Sequence, residues 1–283
     1  MKKIKVWFVT GASRGLGFEI AKAALKAGHK VVATVRSNPD QLLNQLNGDE
    51  NLLVSILDVT DKSLVTTSVK AAVDKFGGID ILVNNAGYGL LSGVEEARDE
   101  DVRQNYETNV FGLLNVTREV LPQMRLQRSG HIINLSSVGG ISGFPGWGIY
   151  CSTKFAVEGI TESMAFELLP LGIHVTAVEP GFFRTDFLDI SSLTVTGKII
   201  ADYDDTAGEM RRQMVLTNKK QPGSAAKLAQ ALIALANCET PPVHLMLGKD
   251  TLAVYREKVA KIENEIKKWH TIITSTDHDS ISG

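Results

Sequence analysis

The chain has 283 residues, 43% of them hydrophobic, with 30 basic against 32 acidic side chains and a formal net charge of −2. That apolar share supports a continuous core, and positive charge spread along the chain speaks against nucleic acid as a main partner, because phosphate binding concentrates lysine and arginine on one surface. No apolar run reaches the ~18–20 residues that a membrane span needs. The start, Met1-Lys-Lys-Ile-Lys, lacks the apolar stretch and small-residue cleavage site of a secretory leader. Cys151 and Cys238 form neither a metal-ligand spacing nor a disulfide framework. The expectation is a cytoplasmic protein in a reducing compartment, with no metal site, no membrane and no nucleic-acid partner.

From the N-terminus onward, short β-branched runs alternate with longer segments of helical period. Residues 4–9 read as a strand and 16–27 as a helix, 30–35 with 39–46 repeats the pair, and 52–57 with 62–76 repeats it again. Residues 79–83 then lead into a long helix at 100–125, 131–135 into 149–169, 174–178 into 225–236, and 243–247 into 251–269. Strands that are apolar on both faces and alternate with helices predict an α/β fold: a doubly wound, Rossmann-type parallel sheet of seven strands with helices on both faces. No proline- or glycine-rich linker divides the chain and no repeat is visible, so 1–283 reads as one domain with a helical extension at 249–270.

Residues 187–221 break the rhythm. The stretch mixes serine, threonine, glycine and aspartate with short apolar pieces and is too long for an ordinary connection. It reads as a mobile lid over an apolar pocket, with a disordered insertion and small helices packed on the surface as the other readings. Ser191-Ser192, Gly197, Asp202, Asp204-Asp205 and Gly208 interrupt any long element. Leu188, Ile190, Leu193, Val195, Ile199 and Ile200 would turn an apolar underside toward Phe144, Trp147 and Phe183. The polar end, 275–283, reads as frayed.

The first strand runs into Thr10-Gly11-Ala12-Ser13-Arg14-Gly15-Leu16-Gly17 and then into a helix. A strand, a tight glycine turn and a helix N-terminus make an anion site, where exposed N–H groups face a phosphate that glycine lets approach the backbone. The spacing is G-x-x-x-G-x-G, and a plain turn with a helix cap needs one glycine rather than three. A site of this kind that takes NAD ends its second strand in an acid, which accepts from the ribose hydroxyls. Here the strand ends Ala33-Thr34-Val35-Arg36, with no acid before Asp40. Arg36 alone would read as a solvated surface side chain. Together with Arg14 it forms a guanidinium pair suited to a 2′-phosphate, so the expected cofactor is NADP(H).

Tyr150 and Lys154 lie four residues apart in a segment of helical period, hence one turn apart on one face. An ammonium near a phenol stabilises phenolate and lowers its pKa toward a range useful for proton transfer. Ser137 follows the apolar run at 131–135, at the carboxyl edge where open α/β sheets bind ligands; its plainer job is to cap a turn.

In order and spacing, the glycine loop at 10–17, Asn84-Asn85-Ala86-Gly87, Ser136-Ser137, Tyr150-x-x-x-Lys154 and Pro180-Gly181 resemble the short-chain dehydrogenase/reductase family, over nearly the whole chain. The resemblance implies that Tyr150 is the general acid in carbonyl reduction and the base in alcohol oxidation. It implies that Ser137 holds the substrate oxygen, and that Lys154 binds the nicotinamide ribose and lowers the tyrosine pKa. Asn109, in Thr108-Asn109-Val110, would position a water in a proton relay. Cofactor contacts are implied for Gly11, Ser13, Arg14, Gly15, Leu16 and Gly17 at the phosphates and neighbouring ribose, for Asp58 at the adenine, and for Asn85, Ala86 and Gly87 on the adenosine side. Pro180, Gly181 and Phe183 would flank the nicotinamide, with Thr185 at its carboxamide. Two plainer readings stay open. Asn84-Asn85-Ala86-Gly87 also suits a structural turn in which one asparagine ties neighbouring strands, and Asp58 also suits a helix cap, although Thr60 and Asp61 lie nearer the helix start. The C-terminal part, from Pro241-Pro242 to Trp269 and Ser275-Thr276-Asp277, is similar to bacterial oxidoreductases resembling 17β-hydroxysteroid dehydrogenases; that label describes ancestry, not a ligand.

The expectation is an NADPH-dependent reductase of ketones or aldehydes, acting on a hydrophobic carbonyl/alcohol substrate. Other readings are a secondary-alcohol dehydrogenase working oxidatively, a non-catalytic NADP-binding regulatory protein, and dehydration or epimerisation on the same scaffold. By resemblance, the helices at 100–125 and 149–169 pair between subunits, which implies a homodimer or homotetramer, with the C-terminal helix blocking one of the usual interfaces.

Overall fold

The computed structural model describes residues 4–48, 50–189, 192–195 and 197–278. Its central sheet is built from β1 (Val6–Val9), β2 (Lys30–Val35), β3 (Leu52–Ile56), β4 (Ile81–Asn84), β5 (Gly130–Leu135), β6 (Ile173–Pro180) and β7 (His244–Leu247). The strands lie in the order β7-β6-β5-β4-β1-β2-β3, and every neighbouring pair is parallel. This is the expected Rossmann-like α/β fold, with the direction of strand progression reversing between β1 and β4.

Helices α1 (Gly15–Lys26), α2 (Pro39–Gln45), α3 (Lys62–Phe76), α4 (Asp99–Tyr106), α5 (Leu113–Gln127), α6 (Gly148–Leu168), α7 (Glu209–Thr217), α8 (Ala225–Ala236) and α9 (Lys249–Thr274) surround the sheet. Successive side chains of a strand point to opposite faces. Trp7 and Val9 therefore pack with Ile20, Ala24, Leu228 and Leu232 of α1 and α8. Phe8, between them, packs with Val65, Val116 and Met164 of α3, α5 and α6. Burial on both faces is why the strands read as continuous apolar runs rather than alternating ones. Among the described residues, no helix is long and apolar enough to cross a membrane.

The helix expected over 100–125 is two helices, α4 and α5, joined by a π-helical turn at Glu107–Gly112 that contains the buried Asn109. Residues 187–221 carry short elements where a loop was expected. Asp186–Leu188 and Ala201–Tyr203 form 3₁₀ turns, Asp204–Gly208 forms a π turn, and α7 follows. Leu193–Val195 pairs in parallel with Gly89–Leu91, and Phe183–Arg184 pairs with Gly223–Ser224. Ile190 and Ser191 lie outside the described residues, as does 279–283 of the polar end. The C-terminal helix runs to Thr274, beyond the expected 270.

Candidate active site

The carboxyl ends of β1 and β4 are tied together before any ligand is considered. Asn85 Nδ2 donates to the carbonyls of Thr10 (2.8 Å) and Gly11 (3.0 Å), and the Thr10 hydroxyl accepts from the amides of Asn85 (2.9 Å) and Ala86 (3.0 Å). Asn84 Nδ2 reaches Asn134 Oδ1 on β5 and the Thr117 hydroxyl on α5, each at 2.9 Å, so one asparagine does tie neighbouring strands. Gly11 and Gly15 have φ of +66° and +60°, where a side chain is strained. A side chain on Gly17 would collide with the Gly11 carbonyl. Helix α1 begins at Gly15 with no side chain capping it, which leaves its first-turn N–H groups for an anion. This cradle fits the pyrophosphate of a dinucleotide.

A cavity of about 550 Å³ runs from this cradle along the sheet edge. Its wall carries Arg14, Arg36 and Asp58 as well as Ser137, Tyr150, Lys154 and Pro180. Ser13, Gly15, Leu16, Gly11 and the Asn85-Ala86-Gly87 turn also line it, with Gly181, Phe183 and Thr185. Of the residues expected at the site, Gly17 and Asn109 are not in the wall: Gly17 packs beneath the loop, and Asn109 lies one layer deeper. Asp58 accepts from the amide (2.9 Å) and hydroxyl (2.7 Å) of Thr60, while Asp61 caps α3 through the amides of Ser63 and Leu64. The helix-cap reading of Asp58 therefore falls to Asp61.

Ser137 fills the plainer of the two roles considered for it. Its Oγ accepts from the Gly139 amide at 3.0 Å, capping the short turn Val138–Ile141. Its hydroxyl also pulls the nearby Tyr150 phenol toward lower pKa. The expected lowering of Tyr150 by Lys154 is not what the structure shows. Burial pushes the phenol above its ordinary value, and Ser137 opposes this only in part. Lys154 Nζ donates to the Leu135 carbonyl at 2.8 Å and lies 5.7 Å from the centre of the Tyr150 ring. Burial moves Lys154 down to about 8, with Glu158 opposing. Asn109 Oδ1 accepts from the Tyr88 amide, and its Nδ2 donates to the Tyr88 carbonyl, each at 3.0 Å, and to the Thr153 hydroxyl at 3.2 Å. It clamps the segment after Gly87 against α6.

A phenol, a serine hydroxyl and a buried ammonium at one end of a dinucleotide-sized cleft suit proton and hydride exchange at a carbonyl. A family model described as short chain dehydrogenase matches residues 5–193. The chain belongs to the short-chain dehydrogenase family. It is 37% identical over 270 residues to Oxidoreductase BOA17 of Botryotinia fuckeliana, covering 95% of this chain and 97% of that one. It is 34% identical over 246 residues to a 3-ketodihydrosphingosine reductase of Bacteroides thetaiotaomicron, covering 86% and 88%. A short-chain dehydrogenase of Streptomyces avermitilis superposes with a TM-score of 0.89 at 35% identity, over 98% of this chain and 100% of that one. Both cofactors occur among such structures. ElxO has NADP bound (30% identity, TM-score 0.74, 89% and 100% covered), and a Burkholderia phymatum enzyme is in complex with NAD (25%, 0.80, 93% and 95%). This short-chain dehydrogenase is accordingly an oxidoreductase of a family that uses NAD(P).

The cleft of this short-chain dehydrogenase closes over Tyr150 with aromatic rings. Trp147 meets Tyr150 edge-on at 5.5 Å and stacks on Phe187 at 6.4 Å, and Phe187 lies 5.6 Å from Tyr150. Phe144, Leu188, Leu193 and Met210 complete this cluster. The expected apolar underside of 187–221 is therefore built from Phe187, Leu188, Leu193 and Met210. Val195 and Ile199 are 50% and 66% exposed, and Ile200 is absent from the cavity wall. Arg14 Nε donates to Ser192 Oγ at 3.1 Å, joining the phosphate loop to this cover. No sequence pattern marks Tyr88, Met210 and Gln221, which line the cavity, or Asp250, whose carboxylate accepts from the Phe182 amide (2.7 Å) and fills the space a Gly181 side chain would take. Only their positions in three dimensions reveal them.

Behind Lys154, Glu158 and Glu179 are buried beside His244, which is bonded to Glu179 through Nδ1 at 3.0 Å and lies 3.5 Å from Glu162. Burial, together with the Glu158 charge, pushes Glu179 up to about 7, and burial also raises Glu158. Between the usual carboxyl range and about pH 7 the unfolded chain releases a proton that the folded chain keeps, so stability falls as pH rises through that window. Glu179→Gln is expected to flatten the decline, leaving the part owed to Glu158. Thermal melts of both proteins between pH 4.5 and 8 measure it, and parallel curves would count against the assignment.

Proposed function

We propose that this protein is an NADPH-dependent carbonyl reductase whose substrate is a bulky, apolar ketone or aldehyde. The observation that carries the proposal is one continuous cleft lined by Arg14 and Arg36 and also by the Tyr150 phenol and Ser137 hydroxyl, which lie beneath an aromatic cover. NADPH, when bound, supplies the hydride to the carbonyl carbon. Ser137 donates to the carbonyl oxygen and fixes its place. Tyr150, kept protonated by burial, delivers the proton as the oxygen becomes a hydroxyl. Lys154, anchored on the Leu135 carbonyl, holds positive charge beside the phenol that becomes phenolate.

The Trp147–Phe187 stack, with Phe144, Leu188, Leu193 and Met210, gives the cover above Tyr150 an apolar face and favours an apolar substrate. The name of the Bacteroides relative, a 3-ketodihydrosphingosine reductase, supports a ketone. A homodimer or homotetramer paired through α4, α5 and α6 fits the exposed Phe111, Leu126 and Phe166 on those segments.

The test is NADPH consumption against a panel of apolar ketones and aldehydes, repeated with NADH. Strong preference for NADPH is expected, and Arg36→Asp is expected to erase or invert it, because a carboxylate there repels the 2′-phosphate and accepts from ribose hydroxyls. Equal kcat/KM for the two cofactors in the unaltered protein would overturn the cofactor assignment.

A further inference from the structure

The C-terminal helix α9 leaves the body of the molecule after its first turns, and every residue from Val259 to Thr274 is exposed. On this helix Leu252, Tyr255, Val259, Ile262, Ile266 and Trp269 recur in alternating steps of three and four residues, each 40–58% exposed. A seven-residue repeat of this kind aligns large apolar side chains into a straight seam, the pattern by which one helix packs on another. Among the described residues the seam stays largely open to solvent. The body holds α9 through the adjacent side, where Thr251 is buried and Lys258 Nζ donates to the Ile141 carbonyl over the Phe155 ring.

We infer that the seam docks the same helix of a second copy of this chain, antiparallel, about a two-fold axis between Ala260 and Lys261. The sequence is self-complementary about that point. Leu252 and Trp269 are equidistant from it, as are Tyr255 and Ile266, and Val259 and Ile262. Each layer of the antiparallel pair thus sets a larger side chain against a smaller one, whereas a parallel pair would set Trp269 on the partner's Trp269 and Val259 on the partner's Val259. Charge agrees with the register: Arg256 flanks the seam on one side of the axis and Glu263 on the other, so each Arg256 meets the partner's Glu263. The same register carries the exposed Ile272 and Ile273 of the partner subunit to the level of Lys249 and Gly248, beside Phe182 at the rim of the catalytic cleft. This contact is separate from any pairing through α4, α5 and α6.

Light scattering of the full chain after size exclusion tests it. Ile262→Glu combined with Ile266→Glu, both solvent-facing, is expected to halve the particle mass with circular dichroism unchanged. Arg256→Glu and Glu263→Arg are each expected to weaken association at least tenfold, and the two together to restore it. In a Cys238→Ser background, Val259→Cys protein mixed with Ile262→Cys protein is expected to cross-link, while each alone does not. A monomeric parent, a mass unmoved by Ile262→Glu with Ile266→Glu, or cross-linking of each cysteine variant with itself would overturn the proposal. So would a monomer that instead binds anionic phospholipid vesicles through the seam.

Discussion

Tyr150→Phe is expected to lower kcat for carbonyl reduction by more than about a hundredfold, the scale of losing a general acid, with NADPH affinity nearly unchanged. The substitution removes one oxygen. The ring that meets Trp147 and Phe187 stays, so the cleft keeps its shape and the loss falls on proton delivery rather than on binding. Lys154→Ala is expected to damage both, because the cleft loses its ammonium as well as the anchor on Leu135. Single-turnover oxidation of NADPH gives the chemical step, and a fluorescence titration gives the affinity. Substantial turnover by Tyr150→Phe would mean that the proton comes from another group and that Ser137 or a water must be reconsidered.

The position of Tyr150 was legible in the sequence, but the sign of its perturbation was not. A spacing of four residues on a helix establishes that phenol and ammonium are neighbours. It says nothing of where the ammonium points, which is decided by the Leu135 carbonyl on β5. The strands were legible for a local reason, since runs such as Trp7-Phe8-Val9 are apolar throughout and both faces are buried. The glycine loop was legible because positive φ and close approach leave a residue-type signature at Gly11, Gly15 and Gly17. The π turn around Asn109 left none. It inserts a single residue into a helical period, beside Gly112, where a side chain would strike Val59 from a different part of the chain. The anchor of the cover expected over 187–221 was hidden for a similar reason: it is a pair of residues 115 positions apart.

That pair is Glu96 and Arg211, and Arg211→Ala is expected to cost about 3–5 kcal/mol, because it strands a buried carboxylate. The Glu96 side chain is fully buried. It accepts from Arg211 Nη1 at 2.6 Å and Nη2 at 3.3 Å, from the Ile200 amide at 2.9 Å and from the Gly93 amide at 2.9 Å. These bonds, the guanidinium's first, hold the carboxyl at about 2. One carboxylate thus joins the turn at Gly93, the start of the 3₁₀ turn at Ala201–Tyr203, and helix α7, whose Met210 and Met214 pack in the cluster around Tyr150. Losing the guanidinium is expected to lower the melting temperature at pH 7 by about 5–8 °C for a chain of this size. The stabilisation from the depressed carboxyl is present above its unfolded value and lost as pH falls toward about 2. The gap between parent and variant is therefore widest near neutrality and narrows below the usual carboxyl range. Glu96→Gln keeps one acceptor oxygen, for either the Ile200 or the Gly93 amide, and leaves no buried carboxylate stranded, so it is expected to be milder. Because the pair fastens the cover and touches no reacting atom, hydrogen exchange across 197–217 should rise in Arg211→Ala and KM should rise more than kcat falls. Equal melting temperatures at pH 7 would show that the cover is held by its apolar contacts with Trp147 and Tyr150 instead.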